Sequence, residues 1–329
     1  MTYQDRVYGK IEVDDPVLQD LIASPTLIRL KGISQAGYQE PFFPGTEYSR
    51  FDHSVGVMAL LRRYGAPLEE QIAGLIHDVS HSVFSHVIDY VLDAGSQTEQ
   101  SHQDNIHDAF VRRSDIPGIL ARHGVETEYI LDERHFPLKE QPLPDLCADR
   151  IDYTLRNLPW IPDMPVAASS VLQHLRVRNE RWLFDTVDAA VSFAELFRTL
   201  NTRYYTSFEK MVNFRTLADY LRYALKRRYM SEADLYTTDD AVLAKIDAHL
   251  PDDPHLRMLS RQKENRVAAV HDPTQYDARI SCKSRVIDPP FLGADGTIRR
   301  LSEARPAWAA VVREESKPKE YFIRFLASW

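Results

Sequence analysis

The chain carries QIAGLIHDVS at residues 71–80, and this stretch decides the fold. Ile72, Leu75 and Ile76 recur at helical spacing and lead directly into His77 and Asp78. Burying two ionisable groups at the apolar end of a helix would be costly unless a partner satisfied them. A metal ion would satisfy both, so the pattern predicts a helix that ends at a metal site.

Two other stretches offer ligands of the same kind. His53 precedes a helical apolar pattern that includes Met58, and Asp149 lies between two apolar runs. Helical metalloproteins build their sites from side chains on facing helices, so we expect His53, Asp149 and the His77-Asp78 pair to hold one ion. The alternative is that each histidine is an ordinary satisfied side chain and that Asp149 pairs with a neighbouring arginine on a helix surface.

The ligand set limits the choice of metal. Two imidazoles and two carboxylates suit Mn, Fe, Ni, Zn or Co better than an all-oxygen Ca site. Fewer than six protein ligands leave positions for water and substrate, as in metal sites that catalyse hydrolysis. We expect one divalent transition metal, with Mg a candidate for accompanying the phosphates of a substrate.

The motifs resemble those of the HD-domain metal-dependent phosphohydrolases. RFDHSVGV at residues 50–57, HDVSHSVFSH at 77–86 and DRIDY at 149–153 are most similar to the deoxynucleoside triphosphate triphosphohydrolase branch, which includes the catalytic domain of the SAM-plus-HD enzymes. The resemblance implies metal ligation by His53, His77, Asp78 and Asp149. It also implies attack of a metal-bound water on phosphorus, because a divalent ion makes hydroxide accessible near neutral pH.

The same resemblance implies roles for residues around the metal. His81, His86 and Asp89 match catalytic positions after the doublet, and we expect His102 to be the general acid with Asp89 orienting its ring. The alternative for His81 and His86 is that they only pack and form hydrogen bonds. The guanidinium groups of Arg50, Arg150 and Arg203 suit phosphate oxygens. Gln35 and Tyr153 match positions that contact the nucleoside in that branch. The expected substrate residues are Gln35, Arg50, Arg150, Tyr153 and Arg203.

The sequence departs from this branch in places that concern the substrate. A basic His and Lys pair follows the position of Arg203 in the branch, whereas residues 206–214 here read TSFEKMVNF. Lys210 is the one basic residue left in that stretch. Ala36 replaces a larger residue and Asn157 replaces an Asp. These departures concern triphosphate and sugar recognition and leave the metal ligands untouched.

Composition predicts a folded protein of the reducing cytoplasm. The 329 residues are 44% hydrophobic, with two cysteines and no apolar run long enough to cross a membrane. The net charge of −8 argues against an extended nucleic-acid surface, although a polyanionic substrate can bind where the metal and a few arginines reverse the local sign. We expect no membrane partner, and the resemblance suggests a homo-oligomer.

Periodicity predicts a mainly α fold with short β-hairpins and a small C-terminal α/β appendage, and the resemblance implies that its helices form an HD-domain helical bundle. The expected division is a core at residues 1–266 and the appendage at 267–329. Strand-like pairs are expected at Val311-Val312 and at residues 321–323, and a hairpin at 175–177 with 182–184. Helices are expected at 16–22, 54–64, 68–78, 83–94, 99–113, 115–123 and 145–157.

Three functions are compatible with these patterns. The first is hydrolysis of a nucleoside triphosphate to nucleoside and tripolyphosphate. The second is hydrolysis of a nucleoside monophosphate, a cyclic nucleotide or another phosphate ester by the same kind of site. The third is a nucleotide sensor with little turnover, and the intact ligand set argues against it because a binding module does not need all four ligands.

Overall fold

The computed structural model describes residues 1–92 and 98–326, and within them the chain is mainly α-helical, as predicted. The predicted first helix and the hairpin around residue 179 are both confirmed. The helices are α1 (Pro16–Ile22), α2 (Pro25–Arg29), α3 (Arg50–Arg63), α4 (Leu68–Ile76), α5 (His102–Arg113), α6 (Ile116–Arg122), α7 (Thr127–Leu131), α8 (Ala148–Arg156), α9 (Ala168–His174), α10 (Val187–Leu200), α11 (Phe208–Arg227), α12 (Asp239–Asp247), α13 (Pro254–Lys263), α14 (Leu301–Ala304) and α15 (Pro306–Glu315).

Short strands form three small sheets around these helices. Sheet order is β1-β2, β3-β4-β7-β8 and β5-β9-β6, with β7 joining β4 in parallel and the other pairs antiparallel. The strands are β1 (Thr2–Asp5), β2 (Gly9–Glu12), β3 (Leu175–Arg178), β4 (Arg181–Phe184), β5 (Ala269–His271), β6 (Ala278–Cys282), β7 (Pro290–Leu292), β8 (Ile298–Arg300) and β9 (Lys319–Phe325).

Helix α3 lies at the centre of the site and is buried on nearly every side. Its start is fixed by a capping box, in which the Ser49 hydroxyl accepts from the Asp52 N–H and the Asp52 carboxylate accepts from the Ser49 N–H. Between Arg50 and Leu61 every residue except Asp52 is buried, because α4 and α8 pack against α3. A helix buried all round holds its side chains rigidly, which suits it to carry a ligand.

Helix α4 ends one residue before the predicted doublet. The predicted helix 68–78 is therefore confirmed to within two residues at its end, and it does not run on to His81, since His77 is its C-cap. Residues 83–94 were predicted to be helical, but the described part forms a short 3-10 helix at Ser85–Tyr90, and residues 93 and 94 lie outside the described residues. Phe84, just before it, has a left-handed backbone with φ of 57°, which breaks the helical path.

The C-terminal segment packs into the rest of the chain. Phe291 on β7 pairs with Phe184 on β4, and Ile280 and Ile323 are buried in the same apolar cluster as residues of α11. The boundary at residues 266 and 267 stays a prediction. The strand expected at residues 321–323 is confirmed by β9, whereas the strand expected at Val311-Val312 is wrong, since both residues lie in α15.

No helix among the described residues is long and apolar enough to cross a membrane.

Candidate active site

The four predicted metal ligands come together between α3, α4 and α8. Ligand atoms of His53, His77 and Asp149 all lie within 4.8 Å of one another. The Nε2 atom of His53 lies 2.8 Å from an Asp149 oxygen, and the Nε2 atom of His77 lies 3.6 Å from the same oxygen. Asp78 completes the group, with its oxygens 3.5 Å from His77 Nε2 and 3.8 Å from His53 Nε2. A mixed nitrogen and oxygen cluster of this size can surround one ion.

Both imidazoles are oriented to present Nε2 to the cluster. Nδ1 of His53 bonds a carboxylate oxygen of Asp152 at 2.7 Å, and Nδ1 of His77 bonds the Gly74 carbonyl at 2.7 Å. Since each Nδ1 then carries the proton, each Nε2 offers a lone pair, as metal-ligating histidines require. His77 Nε2 is buried and has no hydrogen-bond partner among the described residues. The side chains present therefore fit a divalent metal.

The charges of the cluster indicate that a metal ion would replace protons on its histidines. Burial opposes ionisation of Asp149, yet the hydrogen bond from His53 and the nearby imidazole of His77 hold its pKa far below the usual value. Burial alone would lower the pKa of His53, but its bonds to Asp149 and Asp152 raise that pKa to about 9. Without metal, protons therefore supply the positive charge. Metal binding must release them, which makes affinity fall at low pH.

Asp152 is itself held by a buried network. Its carboxylate accepts from Arg156 Nε at 2.6 Å and from the Tyr8 hydroxyl at 2.8 Å, and Arg156 also bonds Asp5 at 2.8 Å. Gly56 on α3 makes room for this network, because a Cβ there would lie 1.9 Å from Arg156 Nη2 and 2.3 Å from an Asp152 oxygen. The network fixes the ring of His53 from behind.

Arg50 is buried and its guanidinium is committed to the protein. Nη1 donates to Asp78, Nε donates to the Ser85 hydroxyl at 2.8 Å, and Nη2 donates to the Gln35 carbonyl at 3.3 Å. Burial would raise the pKa of Asp78, but the charge of Arg50 keeps it well below its usual value. Arg50 thus holds Asp78 as a carboxylate in place, and any contact with substrate stays a prediction.

The histidines after the doublet are arranged differently from the expectation. His81 lies 3.3 Å from Asp78 and stacks edge-on against His86. Asp89 was expected to orient the ring of His102, but its carboxylate contacts Nδ1 of His86 at 3.3 Å and the backbone N–H of His102 at 3.1 Å. The pairing of Asp89 with the His102 imidazole is therefore wrong. His102 begins α5, and its placement there turns the backbone rather than the ring toward Asp89.

A cavity of about 340 Å³ opens from the metal cluster. His86 lines it, whereas His102 is not among the lining residues. Four of the five predicted substrate residues line it: Gln35, Arg50, Arg150 and Tyr153.

The fifth predicted substrate residue, Arg203, is not at the cavity. It lies in a π-helical turn, half-exposed, and forms a two-pronged ion pair with Asp163 at 2.7 and 2.8 Å. Arg203 is thus directed toward Asp163, and its contact with phosphate stays a prediction. Tyr205, from the same turn, faces the cavity instead, and its hydroxyl accepts from Asn157 at 2.8 Å.

Sequence reasoning missed several residues that line the cavity. Lys283 and Arg285 come from the segment after β6, and Lys139 from the loop before α8. Lys210, noted only as a possible substitute, also lines it, and burial lowers its pKa to about 7. Lys283 and Arg285 lie in an irregular segment, and two basic residues in such a segment carry no sequence pattern that would indicate a role in the site.

Several residues that line this cavity carry buried polar atoms without partners, and four of them, Gln35, Tyr48, Asn157 and Trp160, are called the polar wall below. Among the described residues, the buried atoms lacking a hydrogen bond include the Tyr48 hydroxyl, Asn157 Oδ1, Trp160 Nε1 and Gln35 Oε1. Buried polar groups are normally paired, so such a group of unpaired donors and acceptors requires an explanation. A polar ligand in the cavity would supply the missing partners.

Comparison with known proteins agrees with this class of site. The HD domain family matches residues 50–157, which contain all four cluster residues. The chain belongs to the HD-domain phosphohydrolase superfamily. Its cluster is the His and Asp metal-binding cluster of a metal-dependent phosphohydrolase.

Individual relatives cover the chain to different extents. An uncharacterised Bacillus subtilis protein, YdhJ, is 36% identical over 315 residues, which is 92% of this chain and 95% of that protein. The metal-dependent phosphohydrolase cns2 of Cordyceps militaris is 41% identical over 155 residues, 47% of this chain and 44% of cns2. A deoxynucleoside triphosphate triphosphohydrolase SAMHD1 homologue of Dictyostelium discoideum is 25% identical, covering 85% of this chain and 57% of its own.

A solved structure has the same fold. A hypothetical protein from Aquifex aeolicus superimposes with a TM-score of 0.75 at 18% identity, covering 99% of this chain and 96% of that one.

Proposed function

We propose that this protein hydrolyses a nucleoside triphosphate or deoxynucleoside triphosphate at the His53, His77, Asp78 and Asp149 cluster, releasing nucleoside and tripolyphosphate. The observation that carries the proposal is that the cluster opens into one cavity, which is lined both by cationic residues and by polar groups without hydrogen-bond partners among the described residues. A volume of about 340 Å³ lies within the range of small-molecule sites.

The polar wall suits the nucleoside part of such a substrate. Trp160 Nε1 is a donor, Asn157 Oδ1 and Gln35 Oε1 are acceptors, and the Tyr48 hydroxyl is both. A sugar and base can satisfy all four, and a site that hydrogen-bonds its ligand rejects analogues that leave these groups unpaired.

The metal position would be filled through Nε2 of both histidines and the two carboxylates. A bound divalent ion supplies an activated water near neutral pH and stabilises charge on the phosphoryl oxygens. Asp152 and the Gly74 carbonyl hold both imidazoles in the ligating tautomer, and Arg50 holds Asp78.

We propose His86 as the residue that donates a proton to the leaving oxygen. Its ring lines the cavity, and Nδ1 contacts the Asp89 carboxylate at 3.3 Å, an arrangement that favours a protonated imidazole. Burial lowers the pKa of His86, although Asp89 acts to raise it. A polyanionic substrate in the cavity would raise that pKa toward neutrality. His86 would then be protonated when substrate is bound and could donate its proton to the leaving oxygen.

A product assay tests the proposal. Purified protein is incubated with Mn and a panel of nucleoside mono-, di- and triphosphates and cyclic nucleotides, and tripolyphosphate, diphosphate and orthophosphate are resolved by ion exchange. Tripolyphosphate from triphosphates is the expected product. His77→Ala should abolish it, whereas His123→Ala should not, since His123 pairs with Asp20 at the surface. Orthophosphate from monophosphates alone would replace the proposal with the alternative below.

Hydrolysis of a nucleoside monophosphate or another phosphate ester is the second candidate. One observation favours it: Arg203, which the triphosphate interpretation needs at the cavity, is bound to Asp163 at the surface. Under this candidate the same cluster and the same polar wall serve a shorter substrate.

A further inference from the structure

Two basic residues of the C-terminal segment enter the cavity from outside the HD motifs. Lys283 and Arg285 line the cavity although they lie more than a hundred residues after Asp149 in the sequence. The cavity that Lys283 and Arg285 line is also lined by His86 and Tyr153. The segment therefore contributes directly to the candidate active site.

Three other basic residues at the cavity are paired with carboxylates, and burial lowers the pKa of Lys210 to about 7, so Lys210 carries only part of its charge near neutral pH. Arg50 is paired with Asp78, Lys139 with Glu133 at 2.8 Å and Arg150 with Glu140 at 3.5 Å. These three pairs leave little positive charge for a ligand. In a protein of net charge −8, an anion needs cations that no carboxylate has neutralised.

Among the residues that the structure describes, the side chains of Lys283 and Arg285 have only neutral hydrogen-bond partners. Lys283 Nζ donates to the Glu99 carbonyl at 3.2 Å, and Arg285 Nη2 donates to Gln100 Oε1 at 3.0 Å. Within residues 1–92 and 98–326 neither forms an ion pair with a carboxylate, although Asp104 acts on Lys283 at longer range. Their charges also oppose each other, since Arg285 adds to the effect of burial in lowering the pKa of Lys283.

A buried asparagine fixes the segment in this position. Asn201 has no exposed surface and begins the π-helical turn after α10. Its side-chain amide donates to the Ser284 hydroxyl at 3.1 Å, and its Oδ1 accepts from the backbone N–H of Arg285 at 3.2 Å. Short π-helical turns are frequent at functional sites. Two like charges side by side are thus held in place rather than left free to separate.

We propose that Lys283 and Arg285 bind the phosphate groups of the substrate and select polyphosphorylated nucleotides over monophosphates. The proposal rests on the proposed function for the identity of the site, and deepens it by naming the residues that recognise the phosphate chain. It assigns to the C-terminal segment the phosphate binding that the resemblance implied for Arg203, and that a basic pair absent from this chain provides in the resembled branch. Charge-assisted bonds from a guanidinium and an ammonium match the oxygens of a phosphate chain.

Calorimetric titration with inorganic tripolyphosphate and with orthophosphate, in the same Mn-containing buffer, tests the proposal without depending on turnover. Lys283→Gln and Arg285→Gln should each weaken tripolyphosphate binding about tenfold or more, with a smaller loss for orthophosphate. Arg285→Lys, which keeps the charge, should fall between wild type and Arg285→Gln. Circular dichroism and thermal melting verify that each variant is folded.

The matched control is Arg279→Gln, which removes the same charge from β6. Arg279 is exposed and pairs with Glu320. Tripolyphosphate affinities of Lys283→Gln and Arg285→Gln within twofold of this control would overturn the proposal. The product assay separates this failure from failure of the proposed function. If wild-type protein hydrolyses no nucleotide, but the Lys283→Gln and Arg285→Gln variants bind tripolyphosphate more weakly than wild type, only the proposed hydrolysis is refuted. Nucleotide hydrolysis with unchanged KM in both variants would refute only the phosphate-binding role.

Discussion

Replacing Gly56 by alanine should disturb the metal cluster through residues behind it. The new Cβ would lie 1.9 Å from Arg156 Nη2, whereas ordinary contact begins at 3.4 Å, so the guanidinium would have to retreat by about 1.5 Å. Such a retreat is costly here. Arg156 is buried and bonds Asp152 at 2.6 Å and Asp5 at 2.8 Å, so it cannot move without stretching one of these bonds.

The expected loss of stability follows from the buried ion pair. Breaking such a pair costs about 3–5 kcal/mol. With about 2.1 cal/mol/K of unfolding entropy per residue over 329 residues, the Tm should fall by about 4–7 °C. Because Asp152 would shift with Arg156, the His53 ring would lose its anchor, and affinity for Mn should fall by about 10–100-fold.

Differential scanning calorimetry and Mn titration measure the two effects. Gly118→Ala is the matched control, since it lies in α6 with nothing within 4 Å of an added Cβ. That control should be slightly stabilising, by about 0.5–1 kcal/mol, because alanine is a better helix former than glycine. If Gly56→Ala matched Gly118→Ala in both Tm and Mn affinity, the argument that the Asp152 network positions His53 would be refuted.

Three further predictions concern the cluster and the cavity. Asp152→Asn keeps the shape of the side chain but removes the charge facing His53 Nδ1, so Mn affinity measured by calorimetry should fall about 10–100-fold; an unchanged affinity would contradict the role of Asp152. Chelation by EDTA should lower the Tm of the wild-type protein, and Mn at about 100 times its Kd should restore about 2.7 kcal/mol of stability. The His77→Ala variant should not show this recovery, and its absence in wild type would show that the cluster binds no ion. Burial lowers the pKa of Lys210 from 10.5 to about 7, so the unfolded chain binds more protons between these values and the free energy of unfolding should rise with pH across them. Urea titrations of Lys210→Met from pH 7 to 10 should lack this rise, and a rise equal to that of wild type would show that Lys210 is not its source.

The sequence predicts the cluster because each ligand lies beside an apolar helical pattern. His53 and Asp149 both lie in first turns of buried helices, and His77 caps a third, so burial of the helices brings the side chains together. The fold class follows from the same periodicity. Val311 and Val312 show the limit of local preference, since β-branched residues favour strands but here follow Pro306, which begins a helix.

The cationic part of the cavity could not be predicted in the same way. Arg203 matches a motif position, but its direction depends on a π-helical turn that points it toward Asp163 and turns Tyr205 inward. Lys283 and Arg285 reach the cavity only because Asn201 holds their backbone, a contact between distant segments that no local pattern encodes. Local pattern thus located the metal ligands, and long-range packing decided which cations accompany them.

Two different parts of the chain build the cavity, so the residues of the metal cluster and the proposed phosphate-binding residues lie on separate segments. Residues 53–149 supply the cluster, whereas Lys283 and Arg285 arrive on a segment that touches none of its four side chains through a hydrogen bond. On the proposed phosphate-binding role, substitutions at positions 283 and 285 would change which anions are accepted without altering the geometry around His53. A library that varies only this segment would be a direct route to redirecting the enzyme toward other phosphorylated compounds.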